Sequence, residues 1–307
     1  MNAEASPKTS PLRHVVAATD FSKAAESGVG WARDVAREHG AHLHLVHAVY
    51  PVEPGLAGTE PPFDLTEAVT KYSRERLGEW AHDLTVSGVP TDYRADFGQP
   101  SQVIRRAARD LEADLVVVAT RGLGGFRHLL LGSTAERVVQ QAEEPVLAVH
   151  ATDGAAARPV RQVLLPTDFS EDARLAREAA LRVFRLGEGA SLHLLYVFHL
   201  PPEYQVHRAE GLTALSENFR DRAFRSFGGE LEDLARELSG AGLEVETEVA
   251  EGDPAELIVA RAAELGADLI AMGTHGLSAL GRVFLGSVAR RVVQHAPCPV
   301  LTVRSPG

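Results

Sequence analysis

The chain carries the same message twice. Thr19-Asp20-Phe21-Ser22 returns as Thr167-Asp168-Phe169-Ser170, 148 residues later, each time behind an apolar run, Val15-Val16-Ala17-Ala18 or Val163-Leu164-Leu165-Pro166. Gly132-Ser133-Thr134-Ala135-Glu136-Arg137-Val138-Val139-Gln140 lies over Gly286-Ser287-Val288-Ala289-Arg290-Arg291-Val292-Val293-Gln294, and Pro145–Val149 lies over Pro299–Val303. The period is far too long for a solenoid. Each half of the 307 residues is long enough to bury its own core, so the chain reads as a duplicated domain. Residues 1–12 read as a disordered tail, 13–152 as the first domain, 153–159 as a linker and 160–304 as the second domain.

Both halves run through the same order of elements. In the first, strands are expected at Arg13–Thr19, Ala41–Val49, Val89–Phe97, Asp114–Ala119 and Pro145–Val149. Helices fall between them. Ser22 is placed to cap the first and Gly40 to end it. Tyr50–Phe63, with Pro51, Pro54, Pro61 and Pro62, reads as an excursion loop. In the second half the strands are expected at Arg161–Thr167, Ala190–Phe198, Leu243–Ala250, Asp268–Gly273 and Pro299–Arg304, with the longest helix over about His207–Ser239. The offset between copies grows from 148 to 154 residues by the third strand, and the surplus falls mainly in the excursion after the second. Strands alternating with helices, and apolar on both faces, predict an α/β fold. Each domain is then a doubly wound, five-stranded parallel sheet of order 3-2-1-4-5 with helices on both faces. Ligands of such sheets bind outside the carboxyl ends of the strands where the winding reverses, here between the first and fourth strands.

Composition narrows the function. The net charge is -11, divided almost evenly between the halves, which argues against nucleic acid or anionic membrane as a partner. One cysteine, Cys298, excludes an intrachain disulfide and reads as a small buried filler. Met1–Pro7 is polar, without the apolar stretch of a signal peptide, and no run is long enough to span a bilayer. A cytoplasmic protein is expected.

The chemistry concentrates after the fourth strand of the second half. Gly273-Thr274-His275-Gly276 ends that strand, nine residues follow, and Gly286-Ser287-Val288 opens a helix. Glycines let a backbone approach a phosphate chain closely, and the helix start offers unpaired N–H groups and the positive end of a dipole. Together they can cradle a polyphosphate without a lysine; the last lysine in the chain is Lys71.

On these residues the chain resembles a tandem universal stress protein over nearly its whole length, from about residue 13 to residue 304. Gly273, Gly276, Gly286 and Ser287 match that family's ATP-binding pattern G-x2-G-x9-G-[ST] in full. The resemblance implies an adenine nucleotide, ATP with Mg²⁺ as an optional companion, held by this loop, including His275 and Val288. It also implies a nucleoside contact from Asp168, within Pro166-Thr167-Asp168, and an adenine contact through the backbone of Val197. It further implies pairing of the last strands as an intrachain pseudo-dimer, with a homodimer as a further step. The first half departs from the pattern. Thr19, Asp20, Gly122, Gly132, Ser133 and Thr134 fit, but Ala119 replaces the first glycine, Ala18 the proline, and Ala48 stands where Val197 does. Its site is therefore expected to be the weaker, and a working, a weak and a vestigial site all stay open.

Plainer readings stand beside these. Asp20 and Asp168 are also placed to bond backbone N–H groups at the start of the first helix, and Gly286-Ser287 to cap its own helix. His42 and His44, two apart on one strand face, permit a metal, but His47 points the other way and the copy offers only His193 and His199 nearby; no metal site is assigned. With neither a P-loop nor a lysine near the glycines, efficient catalysis is disfavoured. The leading expectation is an ATP-binding regulatory protein of the stress response, acting through conformation or partner binding. The alternatives are a slow ATPase or nucleotidyl-transfer enzyme, and a nucleotide-free dimerisation scaffold.

Overall fold

A computed structural model describes residues 10–50, 65–120, 131–151, 159–199, 213–239, 242–276 and 285–305. The excursion after the second strand, most of the glycine-containing loop of each half, residues 1–9 of the expected tail and 153–158 of the expected linker lie outside the described residues. Leu12, expected in the tail, is instead buried, its amide donating to His39 Nδ1 at 3.1 Å. The chain divides into two compact units, residues 1–157 and 158–307.

The first domain runs β1 (His14–Ala18), α1 (Lys23–His39), β2 (His42–Val49), α2 (Leu65–Val86), β3 (Thr91–Phe97), α3 (Pro100–Asp110), β4 (Leu115–Ala119), α4 (Ser133–Gln141) and β5 (Val146–Val149). The second runs β6 (Gln162–Pro166), α5 (Glu171–Val183), β7 (Ser191–Phe198), α6 (Thr213–Ser239), β8 (Glu244–Glu251), α7 (Pro254–Leu265), β9 (Leu269–Gly273), α8 (Ser287–His295) and β10 (Val300–Val303). Within the first domain the strands lie in the order β3-β2-β1-β4-β5, and within the second β8-β7-β6-β9-β10. Every neighbouring pair inside a domain is parallel. This is the expected 3-2-1-4-5 sheet, twice.

The reason lies in the side chains. The central strands are short apolar runs buried on both faces, as strands sandwiched between helices must be. Val15, Val16, Leu43, Leu45, Leu115 and Val116 in one domain, and Leu164, Leu192, Leu194, Leu195, Leu269 and Ile270 in the other, are almost completely removed from water. The outer strands β3 and β8 are instead studded with charge: Asp92, Arg94 and Asp96 on one, Glu244, Glu246, Glu248 and Glu251 on the other. Charged side chains discourage a further strand from adding to such an edge.

Helix ends follow the expected chemistry. Ser22 Oγ accepts from the Ala25 amide at 3.2 Å and Ser170 Oγ from the Ala173 amide at 3.3 Å, so each domain's first helix has a serine N-cap. Gly40 closes α1 in the left-handed conformation, φ 64°, with its N–H directed to the carbonyls of Ala36 and Arg37. Cys298 is buried, as a small filler should be.

In both domains the first and fourth strands pair over only a few residues, Val15–Ala17 with Leu115–Val117 and Val163–Leu164 with Leu269–Ile270. Their C-terminal ends lead into the repeated tetrapeptide and the glycine-containing loop. The winding reverses there.

Candidate functional site

Every polar side chain of the repeated tetrapeptide holds the turn from the first strand into the first helix. Thr167 Oγ1 accepts from the Phe169 amide at 3.0 Å, Asp168 Oδ1 from the Ser170 amide at 3.0 Å, and Ser170 caps α5. The first domain repeats these bonds with Thr19, Asp20 and Ser22 at 3.0, 3.0 and 3.2 Å. Between them the phenylalanine is forced into the left-handed region, φ 64° at Phe21 and 61° at Phe169. A bulky residue there costs on the order of 1–3 kcal/mol, so the surrounding bonds must over-determine the turn. The plainer reading of the two aspartates therefore holds for one carboxylate oxygen of each.

The other oxygen of Asp168 faces the glycine loop. A Cβ built on Gly276 would lie 2.6 Å from Asp168 Oδ2. The two motifs thus meet at the carboxyl ends of the strands, where the Asp168 carboxylate takes up the space that a side chain on Gly276 would need. The far end of the loop is tied down as well: the Gly286 amide donates to the Thr274 carbonyl at 2.9 Å, and a Cβ on Gly286 would come within 2.8 Å of that oxygen. Gly286 is the N-cap of α8 and makes no side-chain cap bond, so Ser287, exposed in the first turn, is not the capping group. The leading amides of α8 have no partner within the helix, and its dipole puts partial positive charge at that end.

Gly273 has a packing reason beside the one its motif suggests. A Cβ there would meet the Asp172 Cβ at 2.6 Å, the Asp172 carbonyl carbon at 2.9 Å and the Ala173 nitrogen at 3.0 Å. The glycine admits the first turn of α5 against the end of β9, a contact within the protein itself. Asp172 draws the two together. It is 5 % exposed. Its Oδ2 accepts from the His275 amide at 3.1 Å and the Thr274 hydroxyl at 3.3 Å, and its Oδ1 from the Ser305 amide at 2.9 Å. The His275 ring lies against the same group, Nδ1 3.3 Å from Asp172 Oδ2 and 2.8 Å from Thr274 Oγ1. Burial alone would raise the Asp172 carboxyl, but hydrogen bonds from Ser305 and His275 and the nearby imidazole outweigh it and hold the group below its ordinary value of 3.8. His275 Nε2 is enclosed and has no hydrogen-bond partner among the described residues.

The first domain lacks this hub. At the place of Asp172 stands Ala24. The hydroxyl of Thr120, the counterpart of Thr274, is buried without a partner among the described residues. Among the described residues no bond matching those of Asp172 ties the start of α1 to the end of β4, and the strand carries the methyl of Ala119 where the other domain has Gly273. The frame of the loop survives: the Gly132 amide donates to the Thr120 carbonyl at 2.8 Å, and Gly132 caps α4. Ser133 is exposed and Thr134 half-buried in the first turn of α4.

Of the residues expected at the site, Asp168 stands beside Gly276; Pro166 and Gly273 end β6 and β9, Thr167 and His275 follow them, and Gly286, Ser287 and Val288 open α8. Val197 is half-buried near the C-terminal end of β7, two residues beyond Leu195, the partner of Pro166. Ala48 holds the matching place on β2. Gly122 lies outside the described residues. Sequence reading missed Asp172, although a signal existed: Ser170-Glu171-Asp172 against Ser22-Lys23-Ala24, an acid where the copy has alanine. It also missed that His42 and His44 are joined by Asp92, whose ligand atoms all lie within 4.8 Å of one another.

Two outcomes are expected. Gly273→Ala should destabilise the second domain by about 1–3 kcal/mol through overpacking. Asp172→Ala keeps the Cβ and backbone that the new methyl would meet but removes the bonds that draw α5 onto β9, so the helix start can give way and chemical denaturation of the double variant should show less loss than the two single losses added. Strict additivity would remove the link between the two positions. Because the Asp172 carboxyl is depressed in the folded state, its stabilisation is present above pH 3.8 and lost as pH falls through the lower folded-state value. Asp172→Asn should flatten that acid limb in pH-dependent melts; an unchanged limb would show that the carboxylate is not stabilised there.

Against known proteins, the profile of the Universal stress protein family matches residues 11–150 and again 159–304. A universal stress protein of Mycolicibacterium smegmatis is 29% identical over 309 residues, covering 94% of this chain and 96% of the relative. One from Thermus aquaticus is 37% identical over 139 residues, 45% of this chain and 98% of that protein. The crystal structure of a universal stress protein from Archaeoglobus fulgidus superposes with a TM-score of 0.69 at 19% identity, covering 97% of both chains, a likeness of fold. The duplicated sheet, the repeated turn and the double profile match lead to one conclusion: the chain belongs to the universal stress protein family, with two of its domains in tandem.

Proposed function

We propose that the second domain holds an adenine nucleotide, ATP with Mg²⁺ as an optional companion, and that the chain acts in a stress response through nucleotide-dependent conformation or partner binding. The observation that carries this reading is the meeting of Asp168 and Gly276 across the crevice. One carboxylate oxygen is used by the turn, and the other stands against the glycine loop. An acceptor there suits a ribose hydroxyl, while the glycines Gly276 and Gly286 and the α8 N-terminus suit phosphates. His275 Nε2 is a further polar atom without a partner among the described residues. Thr167, Val197, Ser287 and Val288 take the supporting places that the family pattern implies. Thr19, Asp20, Ala48, Ala119, Gly122, Gly132, Ser133 and Thr134 form the weaker counterpart.

No helix among the described residues is long and apolar enough to cross a membrane. A cytoplasmic location belongs to this proposal. So do an intrachain pseudo-dimer, which the tandem architecture fits, and a homodimer, which sedimentation of the full chain would read.

Denaturing the purified chain should release an adenine nucleotide at fewer than two equivalents. Gly276→Ala, which displaces the Asp168 carboxylate without touching backbone, and Asp168→Asn should each weaken ATP binding by about tenfold or more in calorimetry. Asp20→Asn should leave the tight class in place. Normal binding in the first two variants with loss in the third would move the working site to the first domain, and a chain that binds no nucleotide would favour the scaffold reading. Hydrolysis needs a positioned water and usually a base or cation for the developing charge. Turnover far below the ordinary range of about 1–10³ s⁻¹ is expected, and single-turnover rates inside that range would establish an ATPase instead.

A further inference from the structure

The opposite end of the first domain's sheet carries a second chemistry. Strand register sets His14 beside His42 and His44 beside Asp92. His42 and His44 are two apart, so all four residues share one face of three neighbouring strands. They stand toward the N-terminal ends of those strands, away from the crevice. The rings of His42 and His44 stack with centroids 4.7 Å apart, and those of His14 and His44 lie 5.3 Å apart. His14 Nδ1 is 3.1 Å from His44 Nε2, and His42 Nε2 is 2.9 Å from Asp92 Oδ2. Yet His42 Nε2, though enclosed, makes no hydrogen bond of good geometry. The His44 ring is buried while the side chains of His42 and Asp92 are 36% and 73% exposed, so the cluster has a fixed base and an open mouth.

The copy shows what the same place looks like when it is only structural. Gln162, Ser191, His193 and Glu246 replace His14, His42, His44 and Asp92. The single imidazole there is held by carboxylates: His193 Nε2 lies 2.9 Å from Glu248 and Nδ1 3.5 Å from Glu246, and Arg261 pairs with Glu248 at 2.5 Å. The carboxylates there find their partners within the protein. In the first domain three imidazoles crowd one carboxylate, an arrangement with many lone pairs and few donors.

We propose that His42, His44 and Asp92 bind a divalent transition cation of the Zn²⁺ class, with water completing the coordination. Two imidazoles and a carboxylate suit Zn²⁺, Co²⁺, Ni²⁺ or Cu²⁺ far better than Mg²⁺ or Ca²⁺, which prefer oxygen. Tetrahedral ligation at Zn–N and Zn–O of about 2.0–2.2 Å places ligand atoms about 3.3 Å apart. Atoms already within 4.8 Å need only small ring and carboxylate rotations to reach that spacing. His14 supplies a further imidazole behind His44.

The test uses untagged, chelator-stripped full chain titrated with Co²⁺, followed by its visible d–d absorption, and with Zn²⁺ by calorimetry. One equivalent of each ion should bind per chain, and Zn²⁺ should displace Co²⁺. His42→Gln and Asp92→Asn, at exposed side chains, should each weaken binding by more than about tenfold while circular dichroism in chelator is unchanged. His193→Gln in the second domain should have no effect. Failure to bind either ion, wild-type binding by His42→Gln and Asp92→Asn, or loss of binding in His193→Gln would overturn the site.

Discussion

The turn that carries the chain from its first strand into its first helix is the constraint on which each domain depends. A phenylalanine sits in the left-handed region because three neighbouring side chains, a threonine, an aspartate and a serine, take up the backbone amides around it. The direction of the first helix, its cap and the position of the aspartate follow from that one turn. Both copies keep it unchanged, although their glycine loops have parted. One oxygen of the aspartate is thus committed to the fold, and that bond fixes where the rest of the carboxylate stands.

The copies differ where helix meets strand. In the second domain a buried acid stitches the start of α5 to the ends of β9 and β10, and the strand yields by giving up its Cβ at Gly273. In the first domain the acid is alanine, and the strand keeps a methyl. Glycine at this position is therefore a packing partner of Asp172 before it is anything else. The phosphate pattern and the packing pattern coincide on one residue, so loss of the motif in the first domain is not in itself loss of a phosphate contact.

Much of the fold was legible. Short buried strands, Ser22 as a cap, Gly40 as a stop and the order of the sheet all come from local chemistry or from the rules of parallel winding, and the structure has them where that chemistry put them. Within the candidate site the convergence of Asp168 with Gly276 followed from topology alone. Asp172 did not, because its partners lie 102 to 133 residues away and a lone acid in a first helical turn ordinarily reads as a dipole partner. Asp92 was hidden for the same reason: register across β2 and β3 places it beside His44, and register is invisible until the strands are paired. The phosphate role read for Gly273 took no account of its packing against α5, since bare backbone admits a helix as readily as it admits a ligand.

The hydroxyl of Thr120 marks where the two halves part. A buried donor with no acceptor among the described residues costs about 1–3 kcal/mol. Its counterpart Thr274 donates to Asp172. The two threonines are thus one fitting with and without its counterpart: Thr274 closes a joint between helix and strand, and Thr120 stands where the described residues of the first domain leave that joint unmade.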